Sequence, residues 1–548
     1  MKLGRYLRWQ AAIALLGIVL LVALLRYAAY SFTSVTVPEK GGSFVEGVAG
    51  NPRYLNPLLS QYNQIDEEIC ALLFSGLTRL DEQGNVVPDL AETFTVSSDG
   101  LVYDFRLRSG LTWHDGAPVR AADVLHTVGV MQSPDFPGVP WLGTLWRAAK
   151  ASAPEGQDGL AIRFELEQPL APFLDYTTIG LLPAHLWERV PIPQIIESQL
   201  NTQPVGTGPF QLSEISAQQV DLIPFARYYG NAPYLAHVIF RFYPAHQNLL
   251  AAFDKKEIDG VSWVWPDEME EASRRTDLQL FSAPLSGYTL IYLNLRNPNL
   301  PFFSDDAVRK ALLLGLDRQA LIDDVLSGQG IVAHTPILPG TWAHDSEATQ
   351  YNHDPEKARQ LLDAAGWRDT DGDGVRDRDG QRLAFILIGD ERNMLEAVST
   401  AWAKIGVQAA AQPVTLAGLT SDFLATRTFD AALVHWELSG DPDPYPLWHS
   451  TQIQDGQNYA GWDDEATDVA IEQARALTDV NVRRDYYVEF QRIFAEQLPA
   501  LLLYHPVHTY GVRNIVQDVQ LGPLNTSADR FRNIAQWYIK SRRITVGN

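Results

Sequence analysis

Residues 87–127 read VPDLAETFTVSSDGLVYDFRLRSGLTWHDGAPVRAADVLHT. In the middle of this stretch Leu101, Tyr103, Phe105 and Leu107 alternate with Asp104, Arg106 and Arg108, the two-residue period of a strand with one buried face. Ser97-Ser98-Asp99-Gly100 supplies a turn before it, Ser109-Gly110 breaks it, and His114-Asp115-Gly116 makes a second turn, because Asp and Gly tolerate the backbone angles that turns require. A helix follows through Ala121, Ala122, Asp123, Val124 and Leu125, with Pro118 just ahead and Asp123 in the first turn, where a carboxylate is favoured. Trp113, His114 and Asp115 are neighbours on a turn, which does not make a nucleophile, base and orienter. Turn and hydrogen-bond chemistry gives His114 a structural role.

The 548 residues, 46% of them hydrophobic, can bury more than one core, so two or three domains are expected. Residues 1–38 hold Lys2, Arg5, Arg8 and Arg26 and no acid, so the remainder carries −27 (−23 less +4). A body that acidic suits neither nucleic acid nor anionic lipid. Cys70 has no partner in the chain, which excludes a disulfide framework. Three basic residues precede an apolar run from Ala11 to Leu25, the order of an export signal or a single membrane anchor. Arg26 and the tyrosines after it leave no convincing small-residue cleavage site, so residues 1–32 read as an uncleaved anchor with Met1 in the cytoplasm and 33–42 as its tether, with a cleaved signal and secretion as the alternative.

Further along, Pro204-Val205-Gly206-Thr207-Gly208-Pro209-Phe210 places glycines at a tight strand entry. A phosphate cradle would need a Lys-Ser or Lys-Thr and a following helix, and neither is there. Gly287–Asn294, GYTLIYLN, is a strand, and Ser304 caps a helix running to Leu316. Asp430–Tyr445 carries an apolar strand to Trp436 and then a Gly/Pro/Asp-rich loop. Asp369, Asp371, Asp373 and Asp377, with the backbone oxygen of Val375, alternate as calcium ligands do. Gly380 stands where the bidentate glutamate belongs, and Arg376 and Arg378 dilute the charge, so a structural calcium and a solvated hairpin loop both remain open. No other cofactor is expected.

The stretch 87–127 and the Pro204–Phe210 motif together closely resemble the peptide/nickel-type (family 5) bacterial extracellular solute-binding proteins, and the resemblance runs from about Gly42 to about Val516. It implies an α/β, two-lobe periplasmic-binding-protein-like (class II) fold with an extra subdomain in the first lobe. The implied boundaries are 43–286 for lobe I, with the subdomain at about 62–200, then 287–498 for lobe II and 499–548 for the return to lobe I and the tail. It implies a ligand cleft near Tyr62, Asn63, Trp263, Trp265, Tyr288, Asn294 and Trp436. Tyr62 and Asn63 read equally as surface loop, and the two strand tryptophans as core. Peptide-binding relatives have an aspartate three residues after the tryptophan for the peptide's amino group. Here that residue is Ser439, leaving Glu437, Asp441 or Asp443 to substitute or to structure the loop. The implied role is a non-enzymatic, monomeric binding protein on the outer face of the cytoplasmic membrane that delivers a peptide-like or other small solute to the permease of an ABC importer. An anchored sensor of the same ligand is the alternative.

Overall fold

The computed structural model describes residues 9, 14–24, 34–81, 84–154, 158–438 and 440–545. One twelve-stranded sheet organises the chain. Its spatial order is Gln408–Pro413, Ala384–Gly389, Ala431–Glu437, Gly287–Leu293, Ala500–Arg513, Gly260–Val261, Ser43–Ala49, His237–Tyr243, Gln219–Pro224 and Phe210–Ile215. Leu278–Pro284 and Gly330–Val332 also pair with Ala500–Arg513. That strand is the spine. Its first half, with Leu501 and Leu503, lies in a core shared with Phe303, Leu312, Leu387 and Trp402, whereas Tyr510 and Val512 lie in another with Phe44, Ile69, Phe240 and Trp537. Two lobes with separate cores are thus threaded on one strand. The chain passes into the second lobe at Leu285–Gly287 and leaves it near Pro506, where His505 Nδ1 lies 2.8 Å from the Gly287 carbonyl.

The extra subdomain has a four-stranded sheet ordered Ala91–Val96, Val102–Leu107, Ala161–Leu166, Ala149–Ser152, with helices Ala121–Gln132 and Pro140–Arg147. Tyr103, Phe105 and Leu107 are buried in a third core with Trp113, Trp146 and Phe164, as alternation requires. The Asp123 carboxylate accepts from the backbone of Arg120 and of Ala184, pinning the helix start to a distant loop. Helix Gln64–Leu73, assigned to the subdomain by position in the chain, packs instead in the lobe I core through Ile65, Ile69 and the buried Cys70.

His114 joins the two motifs of the sequence. Its Nδ1 accepts from Gly206 N–H at 3.1 Å and its Nε2 faces the Gly208 carbonyl at 3.2 Å, so the ring is neutral with its proton on Nε2. Burial holds its pKa down at about 4. A Cβ on Gly206 would sit 1.8 Å from the Leu73 carbonyl oxygen and one on Gly208 2.3 Å from that of Leu72, so both glycines let this loop lie against the helix end.

Three local expectations change. Asp305, not Ser304, caps helix Asp306–Leu314, its carboxylate accepting from Ala307 N–H; Ser304 closes the preceding turn of 3₁₀ helix. Around Trp263 and Trp265 only Gly260–Val261 is strand. Residues 34–39, within the presumed tether, form a strand paired antiparallel with Lys540–Thr545. Of the N-terminal apolar run, 14–24 is described and is helical, while the rest of 1–33 apart from Trp9 lies outside the described residues. No helix among the described residues is long and apolar enough to cross a membrane.

Lobe I is fastened by a charged cluster excluded from water. The Arg530 guanidinium, fully buried, meets Glu46 at 2.9 Å and Glu68 at 2.7 Å, while Tyr510 donates to Glu46 and Ser527 and Gln64 donate to Glu68. Strand Ser43–Ala49 supplies Glu46, helix Gln64–Leu73 supplies Gln64 and Glu68, the spine strand Tyr510, and the C-terminal turn Ser527–Phe531 Ser527 and Arg530.

Candidate ligand-binding site

Where the lobes face each other lies a cavity of about 300 Å³. Helix Gln64–Leu73 contributes Glu67 and Ala71, the subdomain Trp141, Asp175, Tyr176 and Thr178, the C-terminal segment Asn525 and Asp529, and lobe II Gly440. Gly440 has φ +66, and a Cβ there would lie 2.7 Å from Asp175 Oδ1, so the lobe II loop closes on this carboxylate through a bare backbone. A second contact crosses nearby, Ala171 N–H donating to the Arg475 carbonyl at 2.8 Å. Gly440 and Asn525 also border a smaller pocket of about 50 Å³ with Tyr288 and Trp342.

The electrostatics are one-sided, for among the described residues no Lys, Arg or His lines the larger cavity. Asp529 is satisfied by Arg532 and by the backbone of Asn525 and Thr526. Among the described residues the carboxylates of Glu67 and Asp175 have no ion-pair partner and accept no hydrogen bond from another residue's side chain; Thr178 Oγ1 donates to the Asp175 backbone carbonyl instead. Burial pushes Glu67 up to about 8, with repulsion from Asp529, Glu68 and Glu437 adding to it. Burial raises Asp175 to about 8 as well, Asp441 adding and Arg483 opposing. The nearby arginines are spoken for: Arg483 pairs with Asp441 at 2.7 Å and Arg475 with Asp443 at 3.0 Å. Three acids share two guanidinium groups there, and the carboxylate left over is the one that faces the cavity. The walls add Phe74, Trp141 and Tyr176, aromatic faces that attract cations.

Of the residues singled out in the sequence, the structure gives most an internal duty. Asp441 and Asp443 are held by the arginines just named, which fits the loop-structuring alternative of the two left open for them. Asn294 is buried, its amide donating to the carbonyls of Arg427 and Phe429 and its oxygen accepting from Arg296 N–H, so no group remains for a ligand. Asn63 caps helix Gln64–Leu73 and donates to the Asn51 carbonyl. Tyr62 is exposed and donates to the Pro137 carbonyl. Tyr288 is buried, its hydroxyl accepting from Trp448 Nε1 at 3.0 Å. Trp436 is half-buried on the lobe II core, its Nε1 donating to Tyr292 and its ring parallel to Tyr459. Trp263 packs on His508 and Trp265 lies flat on His246; neither lines the cavity. Ser439 lies outside the described residues.

The aspartate loop closes on itself. Oxygens of Asp369, Asp371 and Asp373 lie within 4.8 Å of one another. Asp369 accepts from Gly372 and Gly374 N–H, Asp371 from Asp373 N–H, and Asp373 from Val375 N–H and Arg382. Asp377 turns away to Thr370. Because backbone N–H groups and Arg382 already stabilise these carboxylates, removing divalent ions with EDTA is expected to leave Tm unchanged. A calcium-dependent rise in the thermal melt would show that the loop reopens around an ion.

The comparisons with known proteins agree with this architecture. Residues 85–458 match the model described as "Bacterial extracellular solute-binding proteins, family 5 Middle". The oligopeptide-binding protein AppA of Bacillus subtilis is 30% identical over 519 residues, covering 92% of each chain. The dipeptide-binding protein of Escherichia coli is 27% identical over 511 residues, covering 89% of this chain and 93% of that one. The structure of AppA in complex with a nonapeptide superposes with TM-score 0.71 at 28% identity, covering 92% of this chain and 100% of that one. That of NikA from Brucella suis in complex with Fe(III)-EDTA reaches 0.78 at 23% identity, covering 91% and 100%, a likeness of fold. With two lobes on one spine, an added subdomain and a cavity between them, the chain belongs to the bacterial extracellular solute-binding proteins of family 5.

Proposed function

We propose that this protein is the extracytoplasmic binding subunit of an ABC importer and that its solute is a small, peptide-like molecule carrying a positive charge. The observation that carries the charge is the cavity in which the Glu67 and Asp175 carboxylates have no ion-pair partner and which no basic side chain lines among the described residues. An amine or guanidine between these carboxylates would form charge-assisted hydrogen bonds while the aromatic walls cover its apolar part. The volume is at the small end of the roughly 300–1,000 Å³ typical of ligand pockets, which favours a solute shorter than a nonapeptide. Because the cavity has walls from both lobes, binding favours the closed arrangement, the form a permease would read. No chemical step is involved. Residues 1–32 hold the monomer at the outer face of the cytoplasmic membrane. Native mass spectrometry of freshly purified protein is expected to release a small amine-bearing solute. A retained anion or a neutral sugar would overturn the charge assignment.

A further inference from the structure

The paired strands Ser34–Glu39 and Lys540–Thr545 bring the two ends of the body together in a separate two-stranded ribbon. In a chain with 66 acids against 43 basic residues, this ribbon and the residue after its first strand hold Lys40, Lys540, Arg542 and Arg543 against the single acid Glu39. All four basic side chains are exposed, and none is engaged in an ion pair among the described residues. The register sets Val35 opposite Ile544, Val37 opposite Arg542 and Glu39 opposite Lys540. Strand alternation therefore puts Val35, Val37 and Ile544 on one face with Lys540, Arg542 and the single acid Glu39, and Arg543 on the other face. Val35 is 52% exposed and Ile544 41%, an apolar pair open to solvent at the end of the ribbon nearest the N-terminal apolar run. Long basic side chains around a small apolar patch suit a lipid interface, where the stems lie on the acyl boundary and the charges meet phosphate.

We propose that this ribbon docks on anionic lipid headgroups, so that the C-terminal strand, and not a loose tether, sets how lobe I stands on the membrane. The inference rests on the reading that residues 11–25 enter the membrane, which alone would leave the body free to swing. The acidic body is repelled by such a surface, which makes the ribbon its point of contact.

Hydrogen exchange of residues 540–545 in the full chain tests this, with vesicles of phosphatidylglycerol and phosphatidylcholine compared with phosphatidylcholine alone. Exchange is expected to be about tenfold slower on the anionic vesicles, since each basic group adds attraction close to the surface. The difference should vanish in 1 M NaCl and in the exposed double variant Lys540→Gln, Arg542→Gln. Co-sedimentation separates the two readings. Equal retention and equal exchange on both vesicles would overturn the docking while the anchor stands. Retention on anionic vesicles alone, abolished by salt or by the double variant, would support the docking and remove the anchor. Retention on neither would remove both.

Discussion

Replacing Arg530 with methionine is expected to cost about 3 to 5 kcal/mol of stability, because it strands two buried carboxylates without their counter-charge. Glu46 and Glu68 are both almost fully excluded from water, and among the described residues Arg530 is the one guanidinium that reaches them. Burial already outweighs the attraction of Arg530 and raises Glu46 to about 7. Without the arginine Glu46 would sit higher still, further above its unfolded value. A carboxyl with a raised folded pKa contributes stability below its unfolded pKa that is lost as pH rises through the folded one. The deficit of Arg530→Met should therefore be smallest near pH 5 and largest near pH 8, as read by urea denaturation across that range. Converting Glu46 and Glu68 to glutamine in the same chain should recover part of the loss, since the cost lies in the unpaired charges more than in the missing contact. A loss below about 1 kcal/mol for Arg530→Met at pH 8, the size of an exposed pair, would mean that the cluster is not holding these elements together.

The second large effect concerns affinity. Glu67→Gln and Asp175→Asn should each weaken binding of the natural solute by about 1.5 to 3 kcal/mol, a factor of about 10 to 100, if a cation sits between the two groups. Both carboxyls have pKa values near 8 in the empty site, so at pH 6 both hold protons that a cation must expel. Affinity should rise by up to about tenfold per pH unit for each carboxyl between pH 6 and 8 and level off above. The empty protein moves the other way, losing the stability that the raised pKa values confer as pH climbs from about 4 through 8. Isothermal titration at several pH values reads the first trend and thermal melts read the second. Each variant should flatten its share of both. Binding that is insensitive to pH from 6 to 8 in the unmutated protein would remove Glu67 and Asp175 from the site.

Local pattern carried much of this architecture. The alternation around Tyr103 and Phe105 and the glycines of Pro204–Phe210 forecast a strand and a tight entry, and both are present. His114 was readable as structural from its turn, although its partners Gly206 and Gly208 lie more than ninety residues on. What could not be read is pairing at a distance. Asp441 and Asp443 looked free because Arg483 and Arg475 approach from helices over thirty residues away. The cavity escaped notice because Glu67, Asp175 and Asp529 come from three remote segments. A faint signal existed for one of them: Asp175 is the lone charge in the apolar run Pro172–Pro183, and a charge there needs a partner or a purpose. The terminal ribbon left no signal, for each strand is short and its partner is some five hundred residues off.

The strand entering the second lobe and the strand leaving it are hydrogen-bonded neighbours, and His505 meets Gly287 across that doorway. The segment between 287 and 505 is therefore inserted through one opening a few ångströms wide, while the strands Ser34–Glu39 and Lys540–Thr545 on either side of it pair with each other. Such an insert behaves as a cassette. Relatives could exchange it whole by recombination at two points, and a protein engineer could do the same, without disturbing the Arg530 cluster or the terminal ribbon. Most of the walls of the cavity would stay behind in such an exchange, so the cup that selects the solute and the lid that covers it can be inherited separately.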